Sequence, residues 1–141
     1  MLFCDPSALM KLYVNEVGSP QMVTLAQSAT SIFVTEVTWV EMRAALAQRV
    51  RLQSTPLLEA DQALDRLRNE WSQFQRIALD ARLCEIAGDM AAAFGLRAYD
   101  SVQLAAASQV HKATAGQMQL CCFDKQMNAA AKVLGIPVFS G

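Results

Sequence analysis

The chain has 141 residues, 53% of them apolar and 18% charged, which is enough to bury one core and excludes a disordered or fibrous protein. Twelve Lys and Arg against thirteen Asp and Glu leave a formal charge of -1, so no global positive field draws in a polyanion and any nucleic-acid contact must be local. Asp5 follows the N-terminus without a basic segment or a long apolar run. The longest uncharged stretch, Val17 to Thr35, is broken by Gly18, Pro20 and several Ser, Thr and Gln residues. Neither a signal peptide nor a membrane span is expected, and the chain reads as one cytoplasmic domain over residues 1–141.

In chain order, Leu2 to Asp5 is a short apolar run, and Asp5-Pro6 supplies an N-cap and a first-turn proline for a helix to about Tyr13. A second short helix covers Ser19 to Gln27. Ser31 to Thr35 is β-branched and aromatic and reads as a strand, followed by a helix from about Glu36 to Gln53. Thr55-Pro56 is read as cap and first helical residue of a charged helix to about Phe74. Arg76 to Leu79 is a weaker strand, and Asp80 caps a helix that Gly95 stops. A helix from about Tyr99 to Lys112, a strand from Met118 to Phe123, a helix from Asp124 to Leu134 and a last strand at Val138-Phe139 complete the chain. Short apolar strands alternating with helices predict an α/β fold in three layers, with a parallel sheet of four to five strands flanked by helices. Ligands of such sheets lie beyond the carboxyl ends of the strands.

Asp5 ends the first strand and Asp124 the fourth, so a parallel sheet puts both carboxylates along one edge, although each also has an ordinary use as an N-cap. Glu41 falls between Val37, Val40, Ala44 and Ala45, read here as the middle of an apolar helix stripe, where a lone carboxylate needs a cation or a metal. Asp100 opens its helix on the face that carries Leu104 and Ala107. His111 lies about 16 Å further along that helix and cannot serve the same site. The other candidate soft ligands, Cys4, Cys84, Cys121 and Cys122, form no C-x-x-C pair and read as buried reduced thiols.

Four carboxylates without imidazole or thiolate suit Mg²⁺ or Mn²⁺. Divalent ions held there would bridge phosphate oxygens and activate a water for phosphodiester hydrolysis. In Phe3 to Tyr13, Thr35 to Glu41 with Arg43 to Leu46, Gly95 to Ala105 and Phe123 to Ala131, the sequence resembles the PIN-domain ribonucleases and, among them, the VapC-type toxins of bacterial toxin–antitoxin pairs. The resemblance covers nearly the whole chain. It implies a catalytic metal site of Asp5, Glu41, Asp100 and Asp124 with Ser7 and Asn128 in support, endoribonuclease activity, a homodimer, and silencing by a cognate antitoxin. Gln103, where many relatives have His, and Cys121-Cys122, where β-branched residues are usual, depart from the pattern and are expected not to touch the four acids.

Lys11, Arg43, Arg97 and Lys125 each lie close in sequence to an acid and are expected to form a basic rim that positions RNA through its phosphates. Trp39, Met42, Leu46 and Val50 give the Glu41 helix a second apolar face, which either neighbouring helices or a second subunit must cover, and dimerisation is expected there. Two other readings are a phosphatase with Asp5 as aspartyl nucleophile and a catalytically silent binding module of the same architecture. The phosphatase would want a second acid where Ser7 stands, and it leaves Glu41 without a use.

Overall fold

A computed structural model of the chain describes residues 1–139. The elements run β1 (Leu2–Cys4), α1 (Pro6–Tyr13), α2 (Ser19–Ser28), β2 (Ile32–Thr35), α3 (Val37–Arg51) and α4 (Leu57–Glu70), then a short 3-10 turn, β3 (Gln75–Ile77), α5 (Ala81–Phe94), α6 (Ala98–Ala113), β4 (Gln119–Cys121), α7 (Lys125–Val133) and β5 (Val138–Phe139). All four strand pairings are parallel, in the order β3-β2-β1-β4-β5, so β1 sits at the centre with β2 and β4 on either side. Three helices start on the predicted aspartates. Asp5, Asp80 and Asp124 accept the backbone N–H of Ala8 at 2.9 Å, Leu83 at 2.7 Å and Met127 at 2.8 Å, satisfying donors that a helix start leaves free. Gly95 closes α5 with φ +64, a left-handed conformation in which a side chain would be strained.

Successive residues of a strand point to opposite faces, and each face here builds its own core. Phe3 and Leu120 pack with Leu104 of α6 and Met127 of α7 on one side; Leu2, Cys4 and Cys121 pack with Leu9, Met42 and Leu67 of α1, α3 and α4 on the other. Each such fully buried side chain contributes about 1.5–3 kcal/mol. The result is the expected three-layer α/β arrangement. Within the described residues no helix is long and apolar enough to cross a membrane. Cys4, Cys121 and Cys122 are buried and free, whereas Cys84 is free but exposed.

Several local expectations shift. Thr55 does not cap α4; it is buried, and Pro56 takes the cap position with extended ψ 146 and no side-chain bond. That helix ends at Glu70 and continues as a 3-10 turn over Trp71–Gln73, where the Trp71 ring meets Trp39 and Phe74 with centroids 5.2 and 5.9 Å away. The weak third strand is Gln75–Ile77, an edge strand paired only to β2 and exposed at Gln75 and Arg76, so its apolar signal is shifted. On α3 the stripe around Glu41 is only partly buried, since Val40 is 60% exposed and Ala44 is exposed while Val37 and Ala45 pack partly inward; Met42 and Leu46 on the second face are buried. The face carrying Trp39, Met42, Leu46 and Val50 is covered by α1 and α4 of the same chain, so its apolar character does not call for a second subunit.

Candidate active site

Because β1 and β4 are adjacent and parallel, the turns that leave them, to α1 and α7, emerge on the same edge of the sheet. Asp5 lies in the first and Asp124 in the second. The first turns of α6 bring Asp100 to that edge, and α3 brings Glu41. All four acids line one cleft of about 270 Å³, together with Ser7, Arg97 and Phe123.

Asp5 is 5% exposed and fully engaged. Its Oδ1 accepts the Ser7 hydroxyl at 2.7 Å as well as the Ala8 N–H, and its Oδ2 accepts the Cys122 thiol at 3.1 Å. Burial pushes its pKa up; the bonds from Ser7, Ala8 and Cys122 pull it back, and the charge of Asp100 raises it again. Ser7 also accepts the Phe123 N–H at 2.9 Å, tying the turn after β1 to the turn after β4. Asn128 steadies the second turn by donating to the Cys122 carbonyl at 2.9 Å.

Glu41 is half-buried and accepts Gln103 Nε2 at 2.7 Å; the same amide donates to Thr38 Oγ1 at 2.9 Å, and Thr38 is bonded to Thr35 Oγ1 at 3.0 Å. Burial raises the Glu41 pKa, the Gln103 bond opposes this, and the charges of Asp5 and Asp100 add to the rise. With both its hydrogens used, the Gln103 amide leaves Oε1 buried and unpartnered among the described residues. On the open side, Asp100 accepts Arg97 Nε at 2.8 Å, and the guanidinium lies 4.0 Å from Asp124 Oδ2. Arg97 is 82% exposed and is the one cation among the residues lining the cleft.

Four like-charged groups against one exposed guanidinium leave the cleft negative. Among the described residues no three His, Cys, Asp or Glu side chains stand ready to hold a metal ion. The chemistry of the set nonetheless fits a hydrated divalent cation: every ligand is a hard carboxylate oxygen, two are desolvated with raised pKa, and Arg97 already stands in for part of the missing charge.

The structure distributes the sequence candidates unevenly. Ser7 touches Asp5 directly, and Asn128 acts through the backbone. Of the four basic residues, only Arg97 reaches the acids. Lys11 is buried and held by Glu16 and the Val17 carbonyl, Arg43 lines a groove between α3 and α4, and Lys125 is exposed at the start of α7. Gln103 and Cys122, expected to stand clear of the acids, bond to Glu41 and Asp5. Both contacts join residues far apart in the chain, 62 and 117 positions, a pairing that no local pattern reveals. Arg49, which nothing in the sequence singled out, lies near the cleft beside Glu16. His111 lies instead beside Gly116, after α6.

The family model of the PIN domain matches residues 2–133. The chain belongs to the PIN-domain family. Among curated proteins this PIN domain is similar to Ribonuclease VapC45 of Mycobacterium tuberculosis, 27% identical, with 98% of this chain and 94% of that protein covered. Among solved structures it resembles FitAcB from Neisseria gonorrhoeae, with TM-score 0.71, 16% identity and 99% and 96% of the two chains covered. A toxin–antitoxin complex from Klebsiella pneumoniae aligns with TM-score 0.65 at 19% identity, covering 99% of this chain and 96% of that one. At these identities the solved structures speak for the fold of the PIN domain alone.

Proposed function

We propose that this PIN domain is an endoribonuclease that hydrolyses RNA phosphodiester bonds with Mg²⁺ or Mn²⁺ and serves as the toxin of a toxin–antitoxin pair. The observation that carries the reading is the cleft itself: two desolvated carboxylates, Asp5 and Glu41, face Asp100 and Asp124, and one guanidinium is too little charge to balance them. The similarity to Ribonuclease VapC45 supports RNA as the substrate, and the Klebsiella complex supports an antitoxin as the partner.

Asp5, Glu41, Asp100 and Asp124 would hold the metal, which when bound supplies an activated water and neutralises phosphate charge. Ser7, Cys122 and Gln103 keep Asp5 and Glu41 in fixed orientations, so little reorganisation is required when substrate arrives. Arg97, exposed at the rim, is suited to exchange its carboxylate partners for a phosphate oxygen. A groove of about 340 Å³ between α3 and α4, apolar through Leu46, Val50 and Leu64 and rimmed by Arg43 and Arg51, suits an amphipathic antitoxin segment. The homodimer is part of the same reading, and Val40, Leu57 and Leu58 supply exposed apolar surface for it. Light scattering at micromolar concentration checks it, a monomer counting against it.

An aspartyl-nucleophile phosphatase is disfavoured, because Ser7 stands where it would want a second acid and it leaves Glu41, in the same cleft, without a use. A silent binding module has no use for four acids facing one cleft. The test is incubation with structured RNAs in Mg²⁺, in Mn²⁺ and in EDTA, beside Asp5→Asn and Asp100→Asn. Cleavage that needs metal and both acids is expected; cleavage that survives EDTA and both substitutions refutes the reading.

A further inference from the structure

Pro6, Ser7 and Phe123 form a wall with two sides. One side faces the acids; the other lines a second cavity of about 340 Å³ that runs on to Met10, Ala45 and Arg49 and contains none of the four site carboxylates. Its charge balance is the opposite of the first. Lys11, only 9% exposed, donates to Glu16 Oε1 and to the Val17 carbonyl, both at 2.7 Å, and its ammonium lies 4.2 Å over the Phe123 ring. That contact helps hold the aromatic wall in place. Arg49 of α3 pairs with the other oxygen of the same glutamate. Burial alone would raise the Glu16 pKa, but the bonds from Lys11 and Arg49 outweigh it and hold the carboxyl below its ordinary range. Two cations therefore share one carboxylate, leaving one positive charge in excess.

Arg49 is the group with capacity to spare. Its side chain is 29% exposed, and Nη2 is the one guanidinium nitrogen that is hydrogen-bonded among the described residues. Nε and Nη1, which present their hydrogens at different edges of the guanidinium plane, remain as donors, and either can meet one oxygen of a phosphate. Beside them on α3 lies Ala45, and Pro6, Met10 and Phe123 line the rest of the cavity as an apolar surface against which a base can lie. An apolar wall with a guanidinium at its edge, contiguous with a phosphodiester-cleaving centre, is complementary to one nucleotide.

We propose that this second cavity is an RNA subsite, taking the nucleotide next to the scissile phosphate with its base against Phe123 and Met10 and its own phosphate on Arg49. The proposal rests on the ribonuclease reading of the adjoining cleft. Because the contact is remote from the reacting atoms, it strengthens ground state and transition state alike, and its loss appears in KM with kcat nearly unchanged.

The experiment is steady-state cleavage of end-labelled total bacterial RNA in Mg²⁺ over a series of salt concentrations, with thermal melts of every variant. Arg49→Ala is expected to raise KM roughly 5- to 10-fold with kcat within about twofold of the wild type. It should also flatten the salt dependence of KM by about 0.7 in log-log slope, the share of one phosphate contact on a single strand. Arg49→Lys keeps the pairing with Glu16 but loses the spare guanidinium donors, and is expected to raise KM by a smaller factor; it carries the test if Arg49→Ala does not fold. Glu16→Gln adds net positive charge and is expected to lower KM, the opposite sign from damage to a merely structural ion pair. An Arg49 variant that folds and keeps the wild-type KM, or Glu16→Gln and Arg49→Ala both raising it, overturns the subsite while leaving the nuclease standing. No cleavage by the wild-type protein overturns the nuclease reading, and the subsite falls with it.

Discussion

The two halves of the acidic cleft are built differently. Asp5 and Glu41 are withdrawn from water and held by neutral donors: Ser7, the Ala8 N–H and Cys122 for the first, Gln103 for the second. Asp100 and Asp124, 22% and 37% exposed, are approached instead by a cation, Arg97, that is itself mostly in solvent. Neutral donors orient a carboxylate without cancelling its charge, so the inner half keeps its negative potential at the cost of raised pKa values. The outer half can change partners. Under the proposed function, the inner pair would be fixed ligands and the outer pair adjustable ones, with Arg97 giving up its place when metal and phosphate enter.

The largest effects should come from removing a carboxylate from either half. Asp5→Asn and Asp100→Asn are each expected to reduce RNA cleavage on the order of 10³-fold, as removal of a preorganised charge from a dry site does. Their effects on the folded protein should separate. Asp5→Asn keeps a cap for α1 and discards a buried charge, so the melting temperature in EDTA should not fall; a fall would mean that the inner half is not strained by its own charge. Next come the neutral donors. Gln103→Leu and Cys122→Ala should each cost about 10- to 100-fold in metal affinity or activity, as is usual for groups that orient ligands. Cys122→Ser should restore most of that loss, because a hydroxyl also donates to Asp5 Oδ2. If Cys122→Ala is silent, the thiol is packing and nothing more.

How much of this could be read from the chain follows from where each signal lies. Asp5, Asp124 and Asp100 announce themselves locally, as acids at strand ends and helix starts, and the alternation of strands and helices brings them to one edge. Glu41 is marked in the chain for a reason that holds only in part: Val37 and Ala45 pack partly inward but Val40 and Ala44 face out, and the half-burial of the carboxylate owes as much to α6, which lies beside it with Gln103. What the chain concealed is contact between elements. The Cys122 bond to Asp5, the Gln103 bond to Glu41 and the capture of Arg49 by Glu16 exist only once β1, β4, α1, α3 and α6 have packed. Proximity in sequence likewise misplaced Arg43, since on a helix two residues from Glu41 is a different face.

Smaller effects sharpen the contrast. Arg97→Ala should tighten Mn²⁺ binding by roughly 2- to 5-fold, the scale of one exposed charge, and no tightening would mean that the guanidinium does not compete for the acids. The inner pair should also mark the pH dependence of stability in EDTA. For a carboxyl whose folded pKa lies above its unfolded value, the stabilising contribution is full below the unfolded pKa and is lost as pH rises through the folded one. Glu41→Gln should therefore melt higher than the wild type at pH 7, with the gap closing as pH falls through the carboxylate range. A gap that is constant with pH would contradict a strained Glu41.

The most direct test of the central claim, that the four acids act as one divalent-metal site, is calorimetric titration of Mn²⁺ into the folded protein and into each single Asp5→Asn, Glu41→Gln, Asp100→Asn and Asp124→Asn variant. The account predicts that every substitution, from either half, weakens binding at least about tenfold, while His111→Ala leaves it unchanged. Wild-type affinity in the Asp5 and Asp124 variants would contradict it.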